Sequence, residues 1–105
     1  MAIKELLAEE LENSLRMERD YLRKVADLPH GSLVIKIISG RPYYYLASRE
    51  EGRVRFKYQG RDMSESDVAK YKAAKEYRVK YRKLLKDVRM QIKFMRKALR
   101  AKQAV

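Results

Sequence analysis

Arg53, Arg55 and Lys57 alternate with Val54, Phe56 and Tyr58 along one short stretch of the chain. In an extended strand successive side chains point to opposite faces, so this spacing predicts a row of cations on one face and an apolar row on the other. A directed row of cations suits phosphate oxygens, which supply much of the affinity in nucleic-acid binding. Just upstream, Tyr43-Tyr44-Tyr45 follows Arg41, and Arg61 comes soon after. Aromatic rings stack on unpaired bases while neighbouring cations hold the phosphates. Alternation divides the run, because Tyr43 and Tyr45 share a face and Tyr44 takes the other. One set is therefore expected in the core, packed with Val54, Phe56 and Tyr58. A second group, Lys75, Arg82, Lys86, Arg89, Lys93 and Arg100, forms a stripe at helical spacing. The predicted nucleic-acid or partner contacts are thus Arg41, Arg53, Arg55, Lys57, Arg61, Lys75, Arg82, Lys86, Arg89 and Lys93.

Chemistry beyond binding has little to stand on. His30 is the single histidine, in a Pro-His-Gly turn with no partner suggested for proton transfer. There is no Walker loop, dinucleotide fingerprint or zinc spacing. The absence of cysteine excludes disulfides and thiolate metal sites. Glu9 and Glu12 read as a solvated helix face rather than a metal pair. The expectation is a protein that is not an enzyme, with no catalytic residues, cofactor or metal.

Charge is divided along the chain. Residues 1–20 carry three bases against six acids, whereas residues 71–105 carry thirteen bases against Glu76 and Asp87. The net charge of +12 therefore resides mostly in the last third, the electrostatic footprint of a protein that meets polyanions. No apolar run approaches the ~20 residues that span a bilayer. The N-terminal MAIKELLAEELEN is too acidic for a targeting peptide. A cytoplasmic protein without membrane contact is expected.

The elements that must position these residues follow from periodicity. The 105 residues suggest a single domain. Residues 1–28 read as a helix with Ile3, Leu6, Leu7, Leu11, Leu15, Tyr21, Leu22, Val25 and Leu28 on one face, ended by Leu28-Pro29-His30-Gly31. Residues 31–60 read as a β-meander of three antiparallel strands, with turns at Gly40-Arg41-Pro42 and Glu50-Glu51-Gly52. Residues 64–103 read as a long basic helix that Ser64 caps. Its seam, Tyr77, Tyr81, Leu85, Val88, Ile92, Met95 and Leu99, approaches a heptad. The fold class is α+β: an N-terminal helix, a three-stranded antiparallel β-meander and a long C-terminal helix, the two helices packed as an antiparallel pair. The longer helix is expected to overhang the first from about Ile92 onward. Phe94, Met95 and Leu99 then become candidates for homodimer contacts.

The stretch Gly40-Arg41-Pro42-Tyr43-Tyr44-Tyr45-Leu46, continued by Gly52-Arg53-Val54-Arg55 and Tyr58-Gln59-Gly60-Arg61-Asp62, resembles a small uncharacterised domain. That domain is widespread in bacteria, phages and mobile elements. Its members have a helix, a GRxYYYL-type hairpin ending in Y-x-G-[KR]-D, and a long charged helix. Pro42 and Glu50-Glu51-Gly52 depart from its usual loop residues. The resemblance implies an architecture and no catalytic residues.

In size and basic character the chain is also similar to small anti-CRISPR proteins that act on type II effectors. That likeness implies an inhibitor that binds a CRISPR effector nuclease, or its nucleoprotein, and blocks target DNA binding or cleavage. Two routes are open. The basic hairpin and second helix would contact guide RNA, target DNA or an acidic protein groove, or the acidic face Glu5/Glu9/Glu12 would mimic phosphate. An accessory DNA- or RNA-binding protein and a coiled-coil adaptor are the alternatives.

Overall fold

A computed structural model describes residues 2–103. In chain order it contains α1 (Ile3–Ala26), β1 (Ser32–Ile38), β2 (Arg41–Glu50), β3 (Arg53–Gly60) and α2 (Glu65–Gln103). This is the α+β order that periodicity predicts. The chain divides into two compact units: the stretch up to Asp27 with Arg78 onward, and Leu28–Tyr77.

The helical unit is held by a heptad seam. On α1, Leu7, Leu11, Ser14, Glu18, Tyr21 and Val25 recur at alternating steps of four and three and are buried or half-buried. On α2, Arg78, Tyr81, Leu85, Val88, Ile92, Met95 and Leu99 follow the same repeat. Such a repeat keeps one stripe facing a partner helix along its whole length. The helices run antiparallel. The Tyr21 and Tyr81 rings lie 5.9 Å apart, and Arg89 Nε donates to Glu18 Oε2 at 2.9 Å. Among the described residues of this unit, Leu85, Val88, Ile92 and Met95 are the buried apolar side chains, and Ser14 is the buried residue of α1. The Asp27 amide donates to the Arg23 carbonyl at 3.0 Å, and Pro29 follows, which ends α1.

Two expectations are corrected here. Tyr77 is exposed, and the half-buried Arg78 holds the seam position instead, because the 4-3 alternation carried back from Tyr81 reaches residue 78. The overhang does not begin at Ile92, since Ile92 and Met95 are buried. From Arg78 onward α2 is about as long as the 24-residue α1. The surplus residues of α2 are those at its start, which belong to the other unit.

In that unit the sheet order is β1-β2-β3, all antiparallel. The turns are two-residue loops, Ser39-Gly40 and Glu51-Gly52, with φ of 52° and 76° in the first and 52° and 77° in the second. Positive φ at both positions is the type I′ signature that matches strand twist. The first turn is therefore not Gly40-Arg41-Pro42, for Arg41 and Pro42 lie within β2. A two-residue loop closes on the hydrogen-bonded pair Ile38/Arg41, so the Pro42 nitrogen faces the β3 side. There β3 has already ended, its last partner being Gly60 opposite Tyr44. Pro42 thus removes no ladder bond.

Ser64 caps α2, its Oγ accepting from the Asp67 amide at 3.1 Å. Among the described residues, no helix is long and apolar enough to cross a membrane.

Candidate nucleic-acid interface

Strand register decides which side chains share a face. Val34 pairs with Tyr45 and Lys36 with Tyr43 across β1 and β2. Tyr45 pairs with Tyr58, Ala47 with Phe56 and Arg49 with Val54 across β2 and β3. Directly opposed residues point the same way, so Tyr43, Tyr45, Phe56, Tyr58, Lys36, Arg41 and Arg49 lie on one face. A register shift between Tyr44 and Tyr45 leaves Gln59 as the extra residue of a bulge.

The rings on this face touch one another and carry cations. Tyr58 stands 5.3 Å from Tyr45 and 6.4 Å from Tyr43, centroid to centroid. Lys36 Nζ sits 4.9 Å from the Tyr45 centroid and 5.2 Å from that of Phe56. The Arg61 guanidinium lies 5.9 Å from the Tyr43 ring. These separations fall within the cation–π range. The face is open to solvent: Phe56 is 55% exposed, Tyr58 50% and Val54 54%, with Tyr43 and Tyr45 half-buried. This corrects the expectation that Val54, Phe56 and Tyr58 form a core with one tyrosine set. They share a face with Tyr43 and Tyr45 as expected, but that face is not buried.

The opposite face bears Arg53, Arg55 and Lys57, all exposed, beside Leu33, Ile35, Tyr44 and Leu46. The expected basic row is present. Glu50 tempers it, standing opposite Arg53 in register and 3.6 Å from Arg55. Lys57 and Arg55 also border a concavity of about 580 Å³ with His30, Gly31, Leu46, Ser48, Glu50 and Phe56. His30 stands exposed on its rim.

On α2, Lys75, Arg82, Lys86, Arg89, Lys93 and Arg100 are exposed. From Arg82 to Arg100 they alternate in steps of four and three, with Arg96 filling the remaining place. Arg89 is committed in part to Glu18. Of the residues expected to mediate assembly, Met95 is buried and Leu99 half-buried in the seam, while Phe94 is 70% exposed. The sheet residues are brought together in one unit and the stripe from Arg82 onward lies in the other. Lys36 and Arg49 join the candidate surface and were not among the residues singled out by sequence. The signal for Lys36 was available: with Ser39-Gly40 as the turn, register places it opposite Tyr43.

A family model described as a domain of unknown function (DUF6788) matches residues 3–69. The chain belongs to the DUF6788 family. The matched region takes in α1, the whole sheet and the first turn of α2, so the aromatic face lies entirely inside the DUF6788 region and the Arg82–Arg100 stripe lies outside it. Neither a curated protein nor a solved structure matches this DUF6788 chain. Among the described residues, no group of three or more His, Asp or Glu side chains is placed to hold a metal ion.

Proposed function

We propose that this DUF6788 protein is a non-enzymatic nucleic-acid-binding protein. Its sheet stacks unpaired bases on Tyr43, Tyr45, Phe56 and Tyr58 and holds the adjoining phosphates with Lys36, Arg41, Arg49 and Arg61. The observation that carries the reading is the open face on which these four rings stand, with Lys36 over Tyr45 and Phe56 and Arg61 over Tyr43. Open aromatic rings offer π-faces to bases of any sequence, and each stacked base contributes about 1–3 kcal/mol. Phosphate contacts add a salt-dependent attraction that a net charge of +12 reinforces.

Fluorescence anisotropy with single-stranded and duplex oligonucleotides of equal length tests this. The single strand binds more tightly, and Phe56→Ala with Tyr58→Ala removes that preference. Equal affinity for the two forms, unchanged in the variant, overturns the reading.

A second reading rests on α1. Glu5, Glu9 and Glu12 are exposed along one side of it, an array of carboxylates able to stand in for phosphates. On this reading the protein is an anti-CRISPR inhibitor of phage or mobile-element type, seated in the basic DNA channel of a type II effector nuclease. A pull-down from cells containing such an effector, repeated after nuclease treatment, separates the two. Retention of the effector without nucleic acid, lost in Glu5/Glu9/Glu12→Lys, favours the inhibitor.

A further inference from the structure

The helical unit carries a cationic surface of its own, separate from the sheet. Steps of four and three from Arg82 through Lys86, Arg89, Lys93 and Arg96 to Arg100 keep these exposed side chains on one side of α2. Two concavities follow that side. One, of about 600 Å³, is walled by Arg89, Lys93, Arg96 and Arg100 over Ile92 and Leu99. The other, of about 470 Å³, is walled by Arg82, Lys86, Arg89 and Lys93 over Leu85, with Met90 beside them. Arg89 and Lys93 belong to both, so the two join into one trough along the helix. Glu18 is the acid that lines it, and Arg89 already holds that carboxylate at 2.9 Å.

The lining selects the ligand. Cations and aliphatic side chains line the trough, without an aromatic ring. An unpaired base has nothing to stack on here, in contrast with the open rings of the sheet. Phosphate is the group that the trough suits. Arg82, Arg89, Arg96 and Arg100 each present a planar fork that takes two phosphate oxygens at once.

Shape narrows the choice further. From Arg82 to Arg100 the row extends roughly 27 Å at ~1.5 Å per residue. A duplex rises ~3.4 Å per base pair, so that length matches about eight base pairs. The duplex is stiff, with a persistence length of ~50 nm, and its backbone stands as a ridge beside each groove. An ordered ridge meets an ordered row, and little freedom is lost on binding. A single strand lacks that order. A bilayer is flat and reaches the rim of the trough rather than its floor. We infer that the trough from Arg82 to Arg100 is a second nucleic-acid site, which seats the phosphate backbone of a duplex irrespective of base sequence. It goes beyond the sheet reading and does not rest on it.

Anisotropy titrations against salt, with a duplex of about 16 base pairs, twice the length of the row, test the site. Each phosphate contact adds ~0.9 to the slope of log K against log salt, close to tenfold in affinity per decade of salt. Arg82→Gln, Lys93→Gln and Arg96→Gln together flatten the duplex slope by about two to three units and weaken binding at ~0.1 M salt by roughly a hundredfold or more. Arg89 is left in place because it pairs with Glu18. Phe56→Ala with Tyr58→Ala leaves duplex affinity unchanged, so the two sites stand or fall separately. Duplex affinity unmoved by the triple change overturns the inference. So does equally tight binding of polyglutamate of matched charge, or binding to phosphatidylserine vesicles without binding to duplex.

A second measurement keeps every cation of the row, should the triple variant lose helical circular dichroism. The chain has no native cysteine, and Lys97 stands one helical turn from Lys93 at the edge of the trough. Iron–EDTA attached through Lys97→Cys cleaves the duplex backbone, and the same probe attached through Glu9→Cys, on the outer side of α1, does not. Equal cleavage from the two positions also overturns the inference.

Discussion

Val88 and Phe56 are both apolar and both lie in the interior of a regular element, yet one is 2% exposed and the other 55%. Val88 belongs to a 3-4 repeat on a helix whose partner, α1, carries the matching repeat and is about as long as α2 from Arg78 onward. Each stripe is covered by the other. Phe56 belongs to an alternating strand in a three-stranded sheet, and alternation sorts residues between faces without determining which face is covered. An open face of four aromatic rings is a poor surface to leave in water unless a ligand uses it. The same amino-acid class thus serves stability in one unit and is available for binding in the other.

The largest expected effect tests the stability half of that contrast. Ile92→Ala removes buried apolar volume from the seam and costs about 2–4 kcal/mol in urea unfolding. Phe56→Ala removes a larger side chain from the open face, where solvent already reaches more than half of it, and costs about 1 kcal/mol or less. Equal losses at the two sites break the comparison.

The helices were legible because periodicity acts over many residues. The α2 seam from Tyr81 to Leu99 is visible in the sequence, and Ser64 is recognisable as a cap from its place before two acids. The Tyr77 error arose from extending the seam by a four-residue step where the repeat takes three. The sheet's architecture was legible too, because turn residues around Gly40 and Gly52 separate three β-rich runs by short connections, which favour an antiparallel meander. Gly40-Arg41-Pro42 misplaces the first turn, since Pro42 lies within β2 with its nitrogen facing a side where no strand pairs. Burial of the sheet faces was not legible. Val54, Phe56 and Tyr58 have the composition of a core row, and nothing local says whether a second layer covers them. The cations over the rings, Lys36 and Arg61, depend on cross-strand proximity that only register reveals.

The next effect compares the two faces of the sheet. If bases stack on the aromatic face, Phe56→Ala with Tyr58→Ala weakens single-strand binding by about 1–3 kcal/mol for each base lost, with little change in salt slope. Arg53→Glu with Arg55→Glu acts on the other face. Should that face touch phosphate, affinity falls uniformly across sequences and the salt slope flattens by roughly one to two units. Anisotropy titrations at several salt concentrations read both. A change in slope from the arginine pair alone, with no loss from the ring pair, moves the binding surface to the opposite face.

The smallest effect sits where stability and binding compete for one side chain. Arg89 lies in the outward basic stripe, and its Nε is 2.9 Å from Glu18 Oε2. Glu18 is the more sheltered partner, with a quarter of its side chain exposed against about half of the Arg89 side chain. An ion pair this accessible contributes no more than about 1 kcal/mol. Glu18→Gln therefore lowers the unfolding midpoint slightly. The same change releases the Arg89 guanidinium toward solvent, where a phosphate can take the place of the carboxylate. If the stripe contacts nucleic acid, affinity rises and the salt slope steepens by about one unit. Stability and binding then move in opposite directions, which a substitution that merely loosened the helical pair does not produce. A fall in both leaves Arg89 as Glu18's partner in the helical pair and takes it out of the binding surface.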